Sequence, residues 1–208
     1  MNSFIVKICG ITCEEDARVS IEEGANALGF NFYPKSPRFI TPERAAQIIE
    51  RVPGEYVKVG VFVAGEGVAN QAGFLSRAAE FDVIQLHGDI SGIRLHGGYR
   101  IWRAMAASAT AAPDGEFEAL LLDSLTPQYG GSGKPFDWNL ARGRSNRVIL
   151  AGGLDAGNVA EAVRTARPWG VDACSRLESS PGKKDPKRVQ DFVKAALAAL
   201  QTSEAIVV

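Results

Sequence analysis

The chain has 208 residues, 46% of them hydrophobic and 23% charged, a balance that fits a globular protein and disfavours collagen, coiled coil and disorder. Lys and Arg number 23 against 24 Asp and Glu, for a formal net charge of -1. With no basic excess to meet a nucleic-acid backbone, any anionic ligand must be held by local groups.

Apolar runs alternate with amphipathic segments along the chain. Phe4 to Cys9 reads as a first strand. Thr12 and Glu15 then fit a capping box that opens a helix. Ala27 to Phe32 is the second run. Thr41 before Pro42 marks a helix start, and Ala45, Ile48, Ile49 and Val52 give that helix its apolar face. Tyr56 to Val63 is the third run, with a weaker helix from Val68 to Glu80. Val83 to Leu86 and Ile101 to Met105 are the fourth and fifth, each followed by a weakly marked connection, Gly88 to Gly98 and Ala106 to Gly115. Ala119 to Leu122 is the sixth, followed by a glycine-rich loop from Tyr129 to Lys134 and a helix-like stretch from Phe136. Val148 to Ala151 is the seventh, followed by Gly152, Gly153 and a helix from Asn158 to Thr165. Val171 to Cys174 is the eighth. Asp185 and Pro186 start the clearest helix, and the tail after about 201 is expected to fray.

Eight such runs separated by helices predict parallel strands joined by crossovers. Runs apolar on both faces, such as Ala119 to Leu122, suit a sheet covered by helices. An open doubly wound sheet and an eight-stranded barrel both fit. The count of eight, the lack of a GxGxxG after the first strand and the polar residues closing several runs favour a single (β/α)8 TIM barrel over residues 1–208. Such barrels average about 250 residues, so this chain has room for almost no insertions.

The active site of a barrel lies at the C-terminal ends of its strands. Cys9, Asn31, Gln85, His87, Asp123, Gly152, Gly153, Cys174 and Ser175 occupy those ends. A cysteine and a carboxylate facing one mouth from different strands could work as a base and an acid, since a thiol's ordinary pKa of about 8.5 is readily lowered. Strand alternation places Lys7 on the same face as Cys9, close enough for a direct electrostatic effect. The glycines after the seventh strand and Ser175 after the eighth suit a phosphate site built from backbone N–H groups. Each residue also has a plainer reading: Cys9 and Cys174 as small hydrophobes, Asp123 as a loop cap, and the glycines as turns.

The cysteines, Cys9, Cys13 and Cys174, are odd in number and irregularly spaced, which argues against a disulfide framework. With His87 and His96 the only histidines, a zinc site is not expected. The first residues do not read as a signal peptide, and no stretch approaches the ~20 apolar residues of a membrane span. A cytoplasmic, reducing setting is expected. The sequence leaves monomer and homodimer open. In a closed barrel the first and eighth strands are neighbours, so Cys9 and Cys174 could lie close and pair when oxidised.

Several segments together are distinctive: Val6 to Thr12 (VKICGIT), Leu28 to Ile40 (LGFNFYPKSPRFI), Val59 to Val63, Gln85 to Gly88, Leu121 to Asp123, Tyr129 to Trp138 (YGGSGKPFDW), Gly152 to Leu154 with Asn158 and Val159, and Pro181 to Asp185. In these the chain resembles the phosphoribosylanthranilate isomerases of tryptophan biosynthesis. The resemblance implies a cofactor-free and metal-free Amadori rearrangement of a phosphorylated small molecule, N-(5-phosphoribosyl)anthranilate, to 1-(2-carboxyphenylamino)-1-deoxyribulose 5-phosphate. It makes Asp123 the general acid and Cys9 the general base. Arg38 would meet the anthranilate carboxylate, Gln85 and His87 would line the sugar end, and Gly152, Gly153 and Ser175 would hold the phosphate. One departure stands in the eighth loop, which usually reads Ser-Ser-Gly-Val-Glu in this family and here reads Cys174-Ser175-Arg176-Leu177-Glu178. Arg176 is therefore expected to assist phosphate binding. The alternatives are a related sugar isomerase acting on an imidazole precursor, which would carry Asp where Cys9 stands, and a non-catalytic barrel that binds a phosphorylated metabolite.

Overall fold

The structure is a computed structural model that describes residues 4–64, 81–89, 99–109, 115–124, 136–144 and 147–205, with side chains to residue 202. The eight runs are eight strands: β1 (Ile5–Cys9), β2 (Ala27–Asn31), β3 (Val57–Val63), β4 (Val83–His87), β5 (Arg100–Ala106), β6 (Ala119–Asp123), β7 (Arg147–Leu150) and β8 (Gly170–Ala173). They pair in parallel in chain order, and β8 returns to β1 to close the barrel. Ala151 and Cys174, expected as the last residues of their strands, each fall one step beyond. The Ala151 N–H still donates to Leu122 O at 2.8 Å, whereas Cys174 turns out of the strand at φ -138° and ψ -88°.

Alternation divides the side chains into two sets. Val6, Ile8, Leu28, Phe30, Ile84, Leu86, Leu120 and Leu122 face outward and pack in one buried cluster with helix residues such as Ile48, Val163, Val189 and Phe192. Ile5, Cys9, Ala27, Val59, Val61, Val83, Leu121 and Ile149 face inward and fill the barrel. Burial on both faces is why the sequence reads as continuous apolar runs rather than alternating ones.

The helices among the described residues are α1 (Glu14–Glu22), α2 (Pro42–Arg51), α3 (Val159–Ala166) and α4 (Pro186–Ala205). Thr41 caps α2 by accepting from the Arg44 N–H, with Pro42 in its first turn. Asp185 opens α4 by accepting from the N–H groups of Lys187 and Arg188. The start of α1 differs from expectation. Thr12 is not its cap: its hydroxyl donates to Gly182 O at 2.6 Å, and α1 begins after Cys13 with no side-chain cap. A distant carbonyl competes for the hydroxyl, and the acidic first turn (Glu14, Glu15, Asp16) complements the helix dipole instead.

The stretch from Phe136 holds only a 3-10 turn, Trp138–Ala141, capped by Asp137. A short hairpin absent from the sequence reading, β9 (Glu178–Ser180) with β10 (Lys183–Lys184), leads into α4. That helix continues to Ala205, and the Thr202 hydroxyl bonds Ala198 O within its last turns. The expected helix from Val68 to Glu80, most of the two weakly marked connections, the loop from Tyr129 to Lys134 and the segment Ile206 to Val208 lie outside the described residues.

The N-terminal end of the barrel is plugged by aromatics. Trp102 is fully buried, meets Trp169 edge-on at 5.9 Å between ring centroids, and donates from Nε1 to Glu118 Oε2. Arg100 and Arg147 pair with the same carboxylate, and the Arg147 guanidinium also lies over the Trp169 ring. Trp102→Ala would empty the centre of this layer and remove one of the bonds to Glu118. It is expected to lower unfolding stability by about 3–5 kcal/mol in urea titration. Activity per folded molecule should be little changed, because the opposite end of the barrel carries the site.

Candidate active site

The inward set becomes polar toward the C-terminal end. On β1, Lys7 and Cys9 point inward on successive alternations. Lys7 is entirely buried, and its Nζ bonds Asp172 Oδ1 at 2.8 Å, its register partner on β8. Gly29, the register partner of Cys9 on β2, makes room for both groups: a β-carbon built there would lie 2.8 Å from Cys9 Sγ and 2.9 Å from Lys7 Nζ. The two atoms therefore flank one point of backbone. A hydrogen bond from Cys174 and the charge of Lys7 hold the Cys9 thiol below its ordinary range, against the opposing effect of burial.

Asp123 ends β6 and is pushed the other way. Burial raises its carboxyl above the usual carboxylate range, the negative charge of Asp172 adds to this, and Ser124 and Lys7 only partly offset it. A thiol shifted toward its anion and a carboxyl shifted toward its neutral form thus share one barrel interior, the pattern that separates a base from an acid.

Gly152 holds the place beside Asp123. Its φ is +80°, and a β-carbon there would lie 2.6 Å from Ser124 Oγ and 2.7 Å from Ser124 N while overlapping the Asp123 carboxylate. Gly152→Ala is therefore expected to displace the carboxyl and lower kcat by about 10²-fold, with the loss read in steady-state turnover. Gly153 follows, also at positive φ (+67°), and its carbonyl accepts from Asn158 Nδ2, which ties the loop to the start of α3. Across the mouth, Ser175 and Arg176 begin a 3-10 turn after Cys174. Asp123, Gly152, Gly153, Ser175, Arg176 and Arg38 line one cavity, together with Cys174 and Asp172.

Gln85 and His87 stand on β4 and do not line that cavity. Gln85 Nε2 donates to His87 Nε2 at 2.8 Å. Burial, with Lys7 and Arg103 nearby, lowers the His87 pKa to about 4, so the ring is neutral at physiological pH. Gln85 Oε1 and His87 Nδ1 are buried with no hydrogen-bond partner among the described residues.

Arg38 reaches the mouth from the β2–α2 connection. Its Nε and Nη2 both bond the Glu178 carboxylate, at 2.8 and 2.7 Å, and Lys184 Nζ holds the same carboxylate from the buried side at 3.0 Å. This leaves the Nη1–Nη2 edge of the guanidinium to meet a second carboxylate. Arg176 is engaged as well, with Nη1 3.2 Å from Asp155 Oδ2 in a half-exposed pair.

Asp172, Glu178 and Lys184 are the supporting charges that sequence reasoning did not assign. Asp172 carried one readable signal, an acid within an apolar strand run. Glu178 and Lys184 fall within segments that carry the resemblance, but no role was assigned to either.

The fold is a (β/α)8 barrel, and its mouth gathers a carboxyl, a thiol and a guanidinium. Residues 6–195 match the family model described as N-(5'phosphoribosyl)anthranilate (PRA) isomerase. A protein of Solibacter usitatus named N-(5'-phosphoribosyl)anthranilate isomerase is 49% identical over 206 residues, covering 95% of this chain and 99% of that protein. The crystal structure of phosphoribosyl anthranilate isomerase from Thermotoga maritima superposes with a TM-score of 0.80 at 39% identity, over 94% of this chain and 99% of that one. A phosphoribosyl anthranilate isomerase solved in complex with reduced 1-(o-carboxyphenylamino)-1-deoxyribulose 5-phosphate superposes at 0.76 with 34% identity, over the same shares. The chain belongs to the N-(5'-phosphoribosyl)anthranilate isomerase family.

Proposed function

We propose that this chain converts N-(5'-phosphoribosyl)anthranilate, an aminoaldose, into 1-(2-carboxyphenylamino)-1-deoxyribulose 5-phosphate, an aminoketose, in the cytoplasmic synthesis of tryptophan. The observation that carries the reading is the inward-facing pair of Cys9 and Asp123, with opposed proton affinities at one end of the barrel. Asp123, its pKa raised by burial, gives its proton to the furanose ring oxygen and opens the ring to an iminium. Cys9, held as thiolate, takes the proton from C2. The iminium accepts the electrons released there, so the rearrangement calls for an acid and a base and no further group. The enolamine then tautomerises to the ketone.

The free edge of Arg38 meets the anthranilate carboxylate while Glu178 and Lys184 keep the guanidinium in place. Gln85 and His87 offer a carbonyl oxygen and a ring N–H to the sugar hydroxyls. The backbone of Gly152, Gly153 and Ser175 receives the phosphate, a role suited to glycines at positive φ and to the exposed N–H groups that begin a helical turn. Arg176 adds charge from the rim. Its pair with Asp155 is half exposed and so weak enough to exchange for a phosphate. Arg176→Ala is expected to raise KM severalfold with little change in kcat, because a rim contact binds substrate and transition state alike. An unchanged KM would remove Arg176 from the phosphate site.

The direct test follows anthranilate fluorescence with enzyme at catalytic concentration. Progressive loss of signal over many turnovers supports the isomerase. Quenching that stops at one equivalent of chain would identify a binding protein and overturn the assignment.

A further inference from the structure

Strands β1 and β8 lie side by side in parallel, with Ile8 paired to Ala173. One residue further along both stand Cys9 and Cys174. Neighbouring parallel strands are about 4.8 Å apart, which fixes the spacing at Ile8 and Ala173, and Cys174 follows directly where the chain turns out of β8. Cys9 belongs to the cluster that fills the barrel, and Cys174, partly buried, packs against it. A β-carbon built on Gly10, the residue after Cys9, would lie 3.0 Å from Cys174 Sγ, so the second sulfur sits against the backbone that carries the first. Both thiols are free. Cys174 lines the mouth cavity beside Asp123 and Arg38, whereas Cys9 is buried beneath it, so a small oxidant reaches Cys9 past Cys174. Cys13 has different company, at the start of α1 beside Lys183 Nζ.

We propose that Cys9 and Cys174 form a reversible oxidation site, at which a hydroperoxide joins the two sulfurs and switches the enzyme off. The bond itself does not depend on the reaction assigned above; only its effect on turnover rests on that reading. The Cys9 thiolate attacks one peroxide oxygen and the O–O bond breaks. The departing hydroxide leaves as water after taking a proton, and Cys9 becomes a sulfenic acid. The Cys174 sulfur then attacks the Cys9 sulfur, the S–O bond breaks, and the hydroxide released takes the Cys174 proton to leave as a second water. Two electrons pass from the two thiols to one peroxide. The order follows from the surroundings: Lys7 favours the anion at Cys9, whereas burial and the neighbouring Cys9 sulfur hold the Cys174 thiol protonated. Lys184 Nζ, 3.7 Å from Cys174 Sγ, favours loss of that proton as the bond forms. A dithiol reverses the step by exchange.

The test treats the full chain with hydrogen peroxide, removes the excess with catalase, alkylates the remaining thiols and maps the peptides by mass spectrometry. The expected result is a peptide linking Cys9 to Cys174, an intact mass lower by two hydrogens, an alkylated Cys13, and turnover in the bridged fraction reduced at least about 10²-fold. Dithiothreitol should restore that turnover. Cys174→Ser provides the second readout: without the partner thiol, Cys9 should proceed to the sulfinic acid, gaining two oxygens in a form that dithiothreitol does not reverse. Sulfinic Cys9 in the unsubstituted chain, a bridge through Cys13, or an alkylatable Cys9 after peroxide would each overturn the proposal. A Cys9–Cys174 bridge in a chain with no isomerase turnover before oxidation would support the site and overturn the assigned activity instead.

Discussion

Asp123→Asn is expected to lower kcat by about 10²–10⁴-fold, the range over which a positioned acid contributes, while KM stays close to its starting value. Asparagine keeps the shape of the side chain and the bond with the Ser124 hydroxyl, but it has no proton to give the ring oxygen. The groups proposed to bind substrate, at Arg38, Gly153 and Ser175, are untouched. The pH profile supplies a second signature. Burial and the charge of Asp172 raise the Asp123 carboxyl above the usual range, so its protonated, working form survives to higher pH than an ordinary aspartic acid would allow. Activity that depends on this proton is present below the raised pKa and is lost as pH rises through it. The variant should lose that dependence together with its rate. The check is fluorescence-monitored turnover across pH, with urea unfolding to confirm that the barrel is intact. Near-normal kcat in Asp123→Asn would remove this carboxyl from the acid role.

The barrel was legible in the sequence because a sheet buried on both faces leaves unbroken apolar runs, and eight such runs leave few ways to arrange them. Cys9, Asp123 and His87 stood out as candidates for a related reason: each is a polar or reactive residue at the end of an apolar run, at the barrel end where such folds place their sites. What stayed hidden depends on closure. Lys7 could be placed on the face of Cys9 by alternation within β1, but its partner Asp172 lies 165 residues away and becomes its neighbour only when β8 meets β1. Thr12 failed for the same reason, since the capping-box pattern is local and the carbonyl that takes its hydroxyl belongs to Gly182. Glu178 and Lys184 sit in a hairpin whose Ser-Ser-Pro-Gly-Lys-Lys sequence carries no strand signal. Their importance shows only in the chain of contacts from Lys184 through Glu178 to Arg38. Family resemblance pointed to Arg38 as a carboxylate binder, and the structure adds that this guanidinium already holds one carboxylate of the chain itself.

Cys9→Ser tests the other half of the chemistry and separates a base from a merely packed cysteine. Serine fits the same space, so the buried layer formed with Val61, Leu121 and Ile149 should remain. A hydroxyl, however, stays protonated where a thiol near Lys7 does not, and kcat is expected to fall by about 10²–10⁴-fold. If Cys9 only filled space, turnover would barely change. The source of its reactivity can be tested independently of turnover by following site-resolved alkylation of Cys9 against pH. The positive charge of Lys7 stabilises the thiolate, so in Lys7→Met the half-reaction point should move upward by about one unit or more, and the thiolate fraction at neutral pH should fall. Removing only Lys7 also leaves Asp172 buried without its partner, at a cost of about 3–5 kcal/mol. Lys7→Met combined with Asp172→Leu deletes both charges and should recover much of that stability without recovering the thiolate. If alkylation of Cys9 followed the same pH curve in all three chains, Lys7 would be a structural charge alone. If it shifted upward in both variants, the buried lysine would be the group that makes a cysteine at this position work as a base.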